Sequence, residues 1–555
     1  MIIGIDLGTT NTLVAALRDG QPALLGPMIP SAVAFDDDDA LLVGEPAADR
    51  AAWQPSRSAR FFKRDMGLDI QRQIAGEPYG PIELSALVLK EARRVAEAEL
   101  GEPVSQAVIT VPAYFQEPQR RATREAGELA GLEVVRMINE PTAAAIAHGL
   151  SDLETERTVV VVDLGGGTLD VTVLEIFEGI IEVVGTGGDG RLGGEDFTNA
   201  LCELACEEAG VDADTRLGAL LRARCEEAKV ALGREERVRI PLPDPAEERW
   251  IEAGSLPLTR ALFSMLTAPL LDRIRACAQQ TLIAAKLAPE DLHEVLLVGG
   301  ATRMPALRTL VQELFGREPV AGPDPDHAIA LGAALQAALV ARDEAVDDVV
   351  VTDVLSHTLG MKVVRWSEGE WLDGYYLPIL HRNTTLPARR VERVSTTHPR
   401  QTEVRVQVFQ GEHRYVEQNR LLGEFTVQGI PTGGSQGQPI DVSFAHDLSG
   451  LLEVEATIVA TGRKGRTAFE QHGALSENER RRALRRLERL KTPPAERREY
   501  KALLEKALRV LAQLPPGPRA FLDEKLVAYE AALKSHDLER VERAAEALSL
   551  ALEQV

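Results

Sequence analysis

Two short loops in the first third of the chain combine an aspartate, glycines and threonines in the same order. They read Asp6-Leu-Gly-Thr-Thr-Asn11 and Asp163-Leu-Gly-Gly-Gly-Thr168. Glycines at a tight turn let backbone N–H groups approach phosphate oxygens, and threonine hydroxyls add donors. The aspartate that opens each loop repels phosphate, but it can hold a divalent metal through water, and the metal then bridges the phosphates. One such loop is weak evidence, whereas two predict a site that clamps a phosphate chain.

Three other segments contain residue types that suit nucleotide chemistry. The loop Gly299-Gly-Ala-Thr-Arg303 leaves room for a sugar and a base, and Arg303 can stack on an adenine face. Glu140 can orient a metal or a water molecule. Lys63 can orient the attacking water and neutralise charge on the γ-phosphate. Taken singly, these are equally well explained as a strand–helix turn, a helix-cap acid and a solvated surface lysine.

The elements that must position these loops alternate between strands and helices over residues 1–345. Apolar runs such as Thr158–Asp163 and Val295–Val298 separate helical segments, a pattern that predicts an α/β domain. Each phosphate loop follows one apolar strand and precedes another, Leu13–Leu17 or Val171–Ile176. Two copies of this unit predict a duplicated, two-lobed fold with a cleft between the lobes.

The pattern changes after about residue 354. Short runs with period-two alternation, such as Thr402–Phe409, predict an antiparallel β-domain that continues to about residue 473. The remaining residues carry helical stripes of leucine. Pro493-Pro494 and Pro515–Pro518 interrupt these stripes, which predicts about three helices.

Composition excludes several classes of function. The 62 basic and 85 acidic residues give a net charge of −23, whereas binding to nucleic acid or to an anionic membrane needs a basic surface. No apolar run approaches the roughly 20 residues that span a bilayer. Met1–Asp6 lacks the basic region of a signal peptide, so we expect a cytoplasmic protein. The four cysteines lack the further ligands of a zinc site and are predicted to be buried, reduced thiols: Cys202, Cys206, Cys225 and Cys277.

Together these motifs resemble the heat-shock 70 kDa chaperone family of the bacterial DnaK type. The resemblance covers about residues 1–475, and the short length, the Phe62–Gly67 segment and the short tail look most like the HscC branch. It rests on four segments that follow the family's order: Ile5–Asn11, Asn139–Ala145, Val162–Thr172 and Val295–Leu307. It implies a multidomain chain: an actin-like α/β two-lobed ATPase domain (1–345), an interdomain linker (346–353), an antiparallel β-sandwich that binds peptides (354–474) and a short α-helical lid (475–555).

The resemblance also implies roles for individual residues. The implied catalytic residues are Lys63, Glu140, Asp163, Thr168 and Asp170, with Asp6 and Asp163 holding hydrated Mg²⁺ through water. The implied contacts to ATP or ADP are Asp6, Gly8, Thr9, Thr10, Asn11, Gly165, Gly166, Gly167, Gly193, Gly194, Glu226, Lys229, Gly299, Gly300, Arg303 and Asp326. The residues implied to couple the nucleotide to the linker are Pro112, Arg120, Arg136, Val349, Val350, Val351 and Asp353. The implied lining of the peptide groove is Met361, Val363, Val364, Val394, Val404 and Val406, although period-two valines are usually sandwich core. K⁺ is a candidate second ion.

The implied partners are unfolded or extended client peptides and a J-domain co-chaperone whose acidic motif would meet Arg136. Val230, Gly233 and Ala301 depart from the family's adenine-side residues, so we expect weaker nucleotide retention and faster exchange. The segment 233–258 is shorter than usual, which argues against assuming a GrpE-type exchange factor as a partner. The short tail predicts a loose lid and fast peptide release.

Three functions fit the residues: an ATPase chaperone that cycles its peptide affinity, a filament-forming or sugar-kinase relative of actin, and a nucleotide-gated binder of one partner with low turnover. A kinase needs no β-domain, and the linker with Asn383–Pro387 argues against the actin-like alternatives. Lys63 and Thr168 favour hydrolysis over simple gating. The ATPase chaperone is therefore the main hypothesis.

Overall fold

A computed structural model describes most of the chain. The described residues are 1–149, 155–177, 180–246, 250–320, 324–341, 350–432, 437–447, 452–468, 479–483, 495–534 and 538–554. Within these ranges, no helix has the length and apolar character needed to cross a membrane.

The first lobe is built around a six-stranded sheet. The lobe's strands are β1 (Ile2–Leu7), β2 (Asn11–Arg18), β3 (Gln21–Leu24), β4 (Ile29–Pro30), β5 (Ala32–Phe35), β6 (Leu41–Val43), β7 (Ser58–Arg60), β8 (Arg72–Ile74), β9 (Glu77–Tyr79), β10 (Gln106–Val111) and β11 (Glu133–Asn139). The main sheet has the order β11-β10-β1-β2-β3, with β4 paired to β2. Strand β1 is apolar along most of its length and almost fully buried, as expected for a strand in the middle of a covered sheet.

The second lobe repeats this plan. Its strands are β12 (Arg157–Leu164), β13 (Leu169–Phe177), β14 (Ile180–Asp189), β15 (Arg237–Pro243), β16 (Glu252–Thr259) and β17 (Glu294–Val298). Strand β12 pairs antiparallel with β13 and parallel with β17, as β1 pairs with β2 and β10. The predicted two-lobed duplication is thus confirmed. Three of the four cysteines are buried and the fourth is half-buried: Cys202, Cys206, Cys225 and Cys277.

Two alanine-rich helices join the lobes at the base of the cleft. The helices of this region are α1 (Glu45–Ala51), α2 (Pro81–Leu100), α3 (Glu117–Leu129), α4 (Glu140–Gly149), α5 (Gly194–Ala209), α6 (Arg216–Ala231), α7 (Arg260–Leu266), α8 (Ala268–Ala285), α9 (Pro305–Phe315) and α10 (Ala328–Ala341). Helices α4 and α10 share an apolar cluster with Val108 of the first lobe and Val161 of the second. They approach so closely that a Cβ on Gly332 would lie 1.8 Å from the carbonyl oxygen of Ala143. Small residues therefore form the hinge.

The linker adds a strand to the second lobe. Strand β18 (Val350–Val351) pairs in parallel with β14, so the sheet order is β17-β12-β13-β14-β18. Val349 lies outside the described residues. The docked linker places the next domain beside the edge of this sheet.

The next domain is a sandwich of two four-stranded sheets. Its strands are β19 (Asp353–Val354), β20 (Leu359–Ser367), β21 (Glu370–Leu380), β22 (Thr385–Leu386), β23 (Ala388–Ser395), β24 (Glu403–Gln410), β25 (Arg420–Gln428), β26 (Pro439–His446), β27 (Leu452–Ile458) and β28 (Lys464–Ala468). The two sheets have the orders β21-β20-β24-β25 and β23-β26-β27-β28, and β19 pairs with β22. Alternating residues of both sheets, such as Val408 and Val442, meet in one apolar core.

The last described part of the chain forms three helices: α11 (Ala495–Gln513), α12 (Pro516–Lys534) and α13 (Leu538–Gln554). They share a core of their own, in which Ala507, Leu522, Tyr529 and Leu548 are fully buried. Helix α11 packs against α1, so the bundle rests on the ATPase lobes. The predicted fold class is confirmed, whereas the domain boundaries stay predictions.

Candidate active site

A cleft of about 740 Å³ separates the two lobes. Its walls come from the loop between β1 and β2, the loop between β12 and β13, the turn after β17, and helices α5 and α6. Nearly all the predicted catalytic and nucleotide-contact residues line it. The three exceptions are Gly167, Gly193 and Asp170. Each lies next to residues that do line the cleft.

The two phosphate loops touch each other across the cleft. A Cβ on Gly166 would lie 1.9 Å from Oγ1 of Thr10, and one on Gly167 would lie 2.7 Å from Cγ2 of Thr9. The second loop is closed by a hydrogen bond from the Gly165 N–H to the Thr168 carbonyl, at 3.1 Å. Backbone N–H groups of both loops can therefore reach one phosphate chain from two sides.

Gly193 supports the second loop from the start of α5. A Cβ there would lie 2.4 Å from the backbone nitrogen of Gly167. The N–H groups of Gly194 and Glu195 donate to the carbonyls of Gly165 and Gly166, both at 2.9 Å. The helix thus fixes the loop by backbone hydrogen bonds.

Four buried carboxylates converge on the floor of the cleft: Asp6, Glu140, Asp163 and Asp170. Burial and the nearby charge of Glu140 raise the pKa of Asp6 and that of Asp170 to about 7. The same causes raise the pKa of Asp163 well above its ordinary value. Lys63 opposes each rise, because its ammonium favours the charged carboxylates.

Glu140 holds Lys63 in place. The Lys63 Nζ donates to Oε1 of Glu140 at 2.7 Å, and both side chains are buried. Lys63 is the second residue of a 3-10 turn, Phe62–Asp65, which follows Phe61 in a left-handed conformation (φ 59°). No local pattern distinguishes this lysine from a solvated one, but the structure makes it the cation that contacts the acids.

The acids have the donor set of a site for a hard divalent cation. One carboxylate oxygen each of Glu140, Asp163 and Asp170 lies within 4.8 Å of the other two. The Oδ2 atoms of Asp163 and Asp170 are buried and have no hydrogen-bond partner. The same holds for Oγ1 of Thr10. Oxygen ligands of this kind suit Mg²⁺. Asp6 lies in the same cleft outside this cluster, and the holding of Mg²⁺ by Asp6 and Asp163 through water stays a prediction.

Opposite the acids, the cations on the base side of the cleft are bound to protein groups of the same side. The Lys229 Nζ contacts the Gly194 carbonyl at 2.9 Å, Oγ1 of Thr198 at 2.8 Å and the Glu226 carboxylate at 2.7 Å. Arg303 is about half exposed and pairs with Asp326 at 2.5 Å and with Asp324 at 2.6 Å. These cations stay beside the cleft but are already neutralised by protein acids.

The residues that depart from the family on the adenine side line the same rim. Val230 has 63% of its surface exposed, so it offers the base only an exposed apolar edge. Gly233 and Ala301 add no side-chain donor. The predicted weak retention of nucleotide stays a prediction, and this geometry supports it.

Sequence reasoning missed three contacts that shape the site. Thr110 donates to Oδ1 of Asp6 at 2.9 Å, and Arg64 of the first lobe pairs with Asp196 of the second at 3.1 Å. The Tyr114 N–H donates to Oδ1 of Asp170 at 2.9 Å. These contacts join distant segments, so no local motif marks them.

Comparison with known proteins agrees with this geometry. The model of the Hsp70 family ("Hsp70 protein") matches residues 2–554. The chain belongs to the Hsp70 family. It is 41% identical over 498 residues to the "Chaperone protein DnaK" of Thermotoga petrophila and to that of Thermotoga maritima, a match that covers 86% of this chain and 82% of each relative. The corresponding protein of Thermosipho africanus is 40% identical over 499 residues, or 86% and 81% of the two chains. The HscC branch is not confirmed by these matches.

Hsp70 proteins are ATP-dependent chaperones that bind ATP or ADP with Mg²⁺, and this Hsp70 has its linker bound beside the site. The Asn139 Nδ2 donates to both carboxylate oxygens of Asp353 at 2.7 Å, and Nη2 of Arg120 donates to Oδ1 of Asn139 at 2.6 Å. Burial raises the pKa of Asp353, and the charges of Arg120 and Arg136 oppose the rise. The predicted coupling residues Arg120, Arg136 and Asp353 therefore meet at one place.

The predicted Pro112 lies in a loop that touches both the acids and the sandwich. The loop's carbonyls at Ala113 and Phe115 accept hydrogen bonds from Arg120, at 3.4 Å and 3.1 Å. On its other side, the ring of Tyr114 packs against His357 of the sandwich, with centroids 4.6 Å apart. Coupling roles for these residues stay predictions, but the contacts give each a physical route.

The predicted groove residues are distributed over both sheets of the sandwich. Met361 and Val406 are buried in its core, and Val363, Val394 and Val404 are partly buried against that core. Val364 is half-buried, and Val394 stands on the sheet opposite the others. In this arrangement the valines are at least partly core, so their role in peptide binding stays a prediction.

The charge imbalance predicts that removing one carboxylate raises the stability of the metal-free protein and lowers its affinity for metal. Asp170→Asn removes one of the mutually repelling carboxylates and keeps the oxygen that accepts the Tyr114 N–H. We expect the melting temperature without metal or nucleotide to rise by about 2 °C, for a gain of about 1 kcal/mol. The further rise caused by Mg²⁺ and ATP should be lost. Thermal scans in EDTA and in Mg²⁺-ATP measure both, with exposed Asp69→Asn as the control. A variant less stable than the wild type in EDTA would contradict the prediction.

The contact between the two loops predicts a steric effect. Gly166→Ala puts a methyl group where Oγ1 of Thr10 stands, so the loops must separate. We expect the dissociation constant for ATP to rise about 10-fold, or about 1.4 kcal/mol. Gly190→Ala is the matched control, since no atom lies within 4 Å of its Cβ position. Equal ATP binding by both variants, measured by calorimetry, would refute the steric argument.

Proposed function

We propose that this Hsp70 hydrolyses Mg²⁺-ATP in the cleft and uses the hydrolysis to change how its β-sandwich holds extended apolar peptides. One observation carries the proposal. Glu140, which holds Lys63, follows directly in the chain after Asn139, which holds Asp353 of the linker. A movement at the reacting end of the site is therefore passed to the linker over a single peptide unit.

The side chains of the cleft suit hydrolysis of the terminal phosphate. The glycine loops would cradle the phosphate chain with backbone N–H groups, and Thr168 would contact its end. Lys63 would offset charge on the γ-phosphate, while Glu140 and Asp170 would accept hydrogen bonds from the attacking water. A bound Mg²⁺ would neutralise phosphate charge beside Asp163. K⁺ as a second ion is supported only by the excess of carboxylates.

Hsp70 proteins bind client peptides and co-chaperones in general, and two surfaces suit specific partners. Arg136 is half-buried beside the linker, and its positive charge suits an acidic motif of a J-domain protein. The segment 233–258, predicted to be shorter than usual in the family, lies largely in the antiparallel hairpin of β15 and β16, so a GrpE-type exchange factor would meet less surface there. A cytoplasmic location stays a prediction.

The test of the proposed function is ATP turnover with and without an unfolded peptide. We expect the peptide to stimulate the wild type, and Lys63→Ala to lower turnover about 100-fold or more, because a buried cation aimed at developing charge is lost. Lys90→Ala, at an exposed position of α2, is the matched control. Turnover without peptide stimulation would instead favour a nucleotide-gated binder of one partner.

The linker contact predicts a separation of binding from coupling. Asp353→Asn removes the charge that faces Arg120 and Arg136. It also replaces one of the two carboxylate oxygens that accept from the Asn139 amide with an NH₂ group, which cannot accept. We expect peptide stimulation of the ATPase to fall about 5-fold or more, the lower end of ordinary coupling energies, with nucleotide affinity unchanged. The control is Asp373→Asn, an exposed sandwich residue that pairs with Lys362. Full stimulation of the Asp353 variant would rule out this route.

A further inference from the structure

One face of helix α11 carries three polar side chains spaced four residues apart. They are Glu505, Arg509 and Gln513, which this spacing places in one row along the helix. All three reach the ATPase domain rather than the partner helices of the bundle. The row therefore forms a docking face.

The first two residues of the row bind the first lobe. Oε1 of Glu505 lies 2.5 Å from Nη1 of Arg50 on α1, and the two side chains are only 2% and 1% exposed. Nε of Arg509 lies 2.8 Å from Oδ1 of Asp49 on the same helix. Burial at this contact raises the pKa of Glu505 to about 7 and that of Asp49 to about 6.

The last residue of the row binds the second lobe. Nη2 of Arg224 donates to Oε1 of Gln513 at 2.5 Å. Arg224 lies on α6, two residues before Glu226 and five before Lys229 on the base side of the cleft. Beneath this contact the lobes also meet directly, with Arg216 of α6 over the ring of Trp53 at 5.8 Å. Helix α11 therefore bridges the two lobes that flank the nucleotide cleft.

The bundle can leave this position without unfolding. Its apolar residues pack among themselves, with Leu511, Leu526 and Leu548 in the shared core. The docking face, by contrast, consists of ion pairs and a hydrogen bond. Polar contacts of this kind exchange for water when they separate, whereas an apolar core does not.

We propose that the C-terminal bundle is a latch on the nucleotide cleft: α11 holds the two lobes together over bound nucleotide, and its detachment sets the rate of nucleotide release. This inference rests on the proposed function only in taking the cleft as the nucleotide site. It gives the C-terminal helices a role toward the nucleotide in addition to any role toward peptide. It also places that role where the base side itself holds the nucleotide weakly.

The test measures the dissociation rate of a fluorescent, non-hydrolysable ATP analogue from the full chain. Glu505→Arg opposes Arg50 with a like charge and should speed release about 5-fold or more. Gln513→Ala leaves the buried pair intact and removes only the bond to the second lobe. We expect it to speed release about 3-fold, toward the lower end of the effect of losing one ordinary hydrogen bond. Glu524→Ala, exposed on α12, is the control and should release at the wild-type rate.

Faster release from both Glu505→Arg and Gln513→Ala supports a latch that bridges the lobes. Wild-type release from both variants would overturn it. Faster release from Glu505→Arg alone would also overturn it, because the bundle would then act on the first lobe without bridging the cleft. Gln513→Ala keeps the test decisive if Glu505→Arg fails to fold. A wild-type chain that binds no analogue would contradict the proposed function instead.

Discussion

The nucleotide cleft buries four carboxylates on its floor, where Lys63 pairs with one of them, Glu140, and much of the structure follows from that imbalance of charge. Buried like charges repel strongly unless cations or hydrogen bonds compensate them. Asp6 and Lys63 come from the first lobe, whereas Asp163 and Asp170 come from the second. The balance of charge is therefore shared between the lobes, and a metal-bound nucleotide that completes it also favours closure. The same charged groups would therefore affect both catalysis and the closure of the lobes.

The same acids connect the cleft to the sandwich by two short routes. On one side, Glu140 continues through Asn139 to Asp353 of the linker. On the other, Asp170 accepts the N–H of Tyr114, whose ring packs on His357 of the sandwich. The first route consists of polar contacts, and the second joins a hydrogen bond to a ring contact. Hydrogen bonds in such a low-dielectric setting are costly to leave unmade. A small rearrangement of the acids would then favour either the docked linker or its release.

Local order in the sequence predicted the phosphate end of the site, and distant packing decided the rest. The loops at Asp6 and Asp163 could be found because each is a contiguous turn whose chemistry depends on neighbours in the chain. The residues around Lys63 do not mark it as a site residue, because its partner Glu140 lies far away in sequence. The ion pair Arg64–Asp196 likewise has no local sequence pattern that predicts it. Pattern could not separate core from groove for the valines implied to line the peptide groove, since period two marks both alike, and their role stays a prediction.

The placement of the bundle affects how the predicted weak contacts to the adenine base would influence nucleotide release. Val230, Gly233 and Ala301 offer the adenine little, and Lys229 and Arg303 are already paired with protein acids. If retention is weak as predicted, the time that nucleotide stays bound would depend on the phosphate loops and on how long the lobes stay closed. Closure is opposed by charge repulsion when the metal is absent, so contacts outside the cleft have a large relative effect on it. A polar latch that bridges the two lobes can therefore control release without touching the nucleotide.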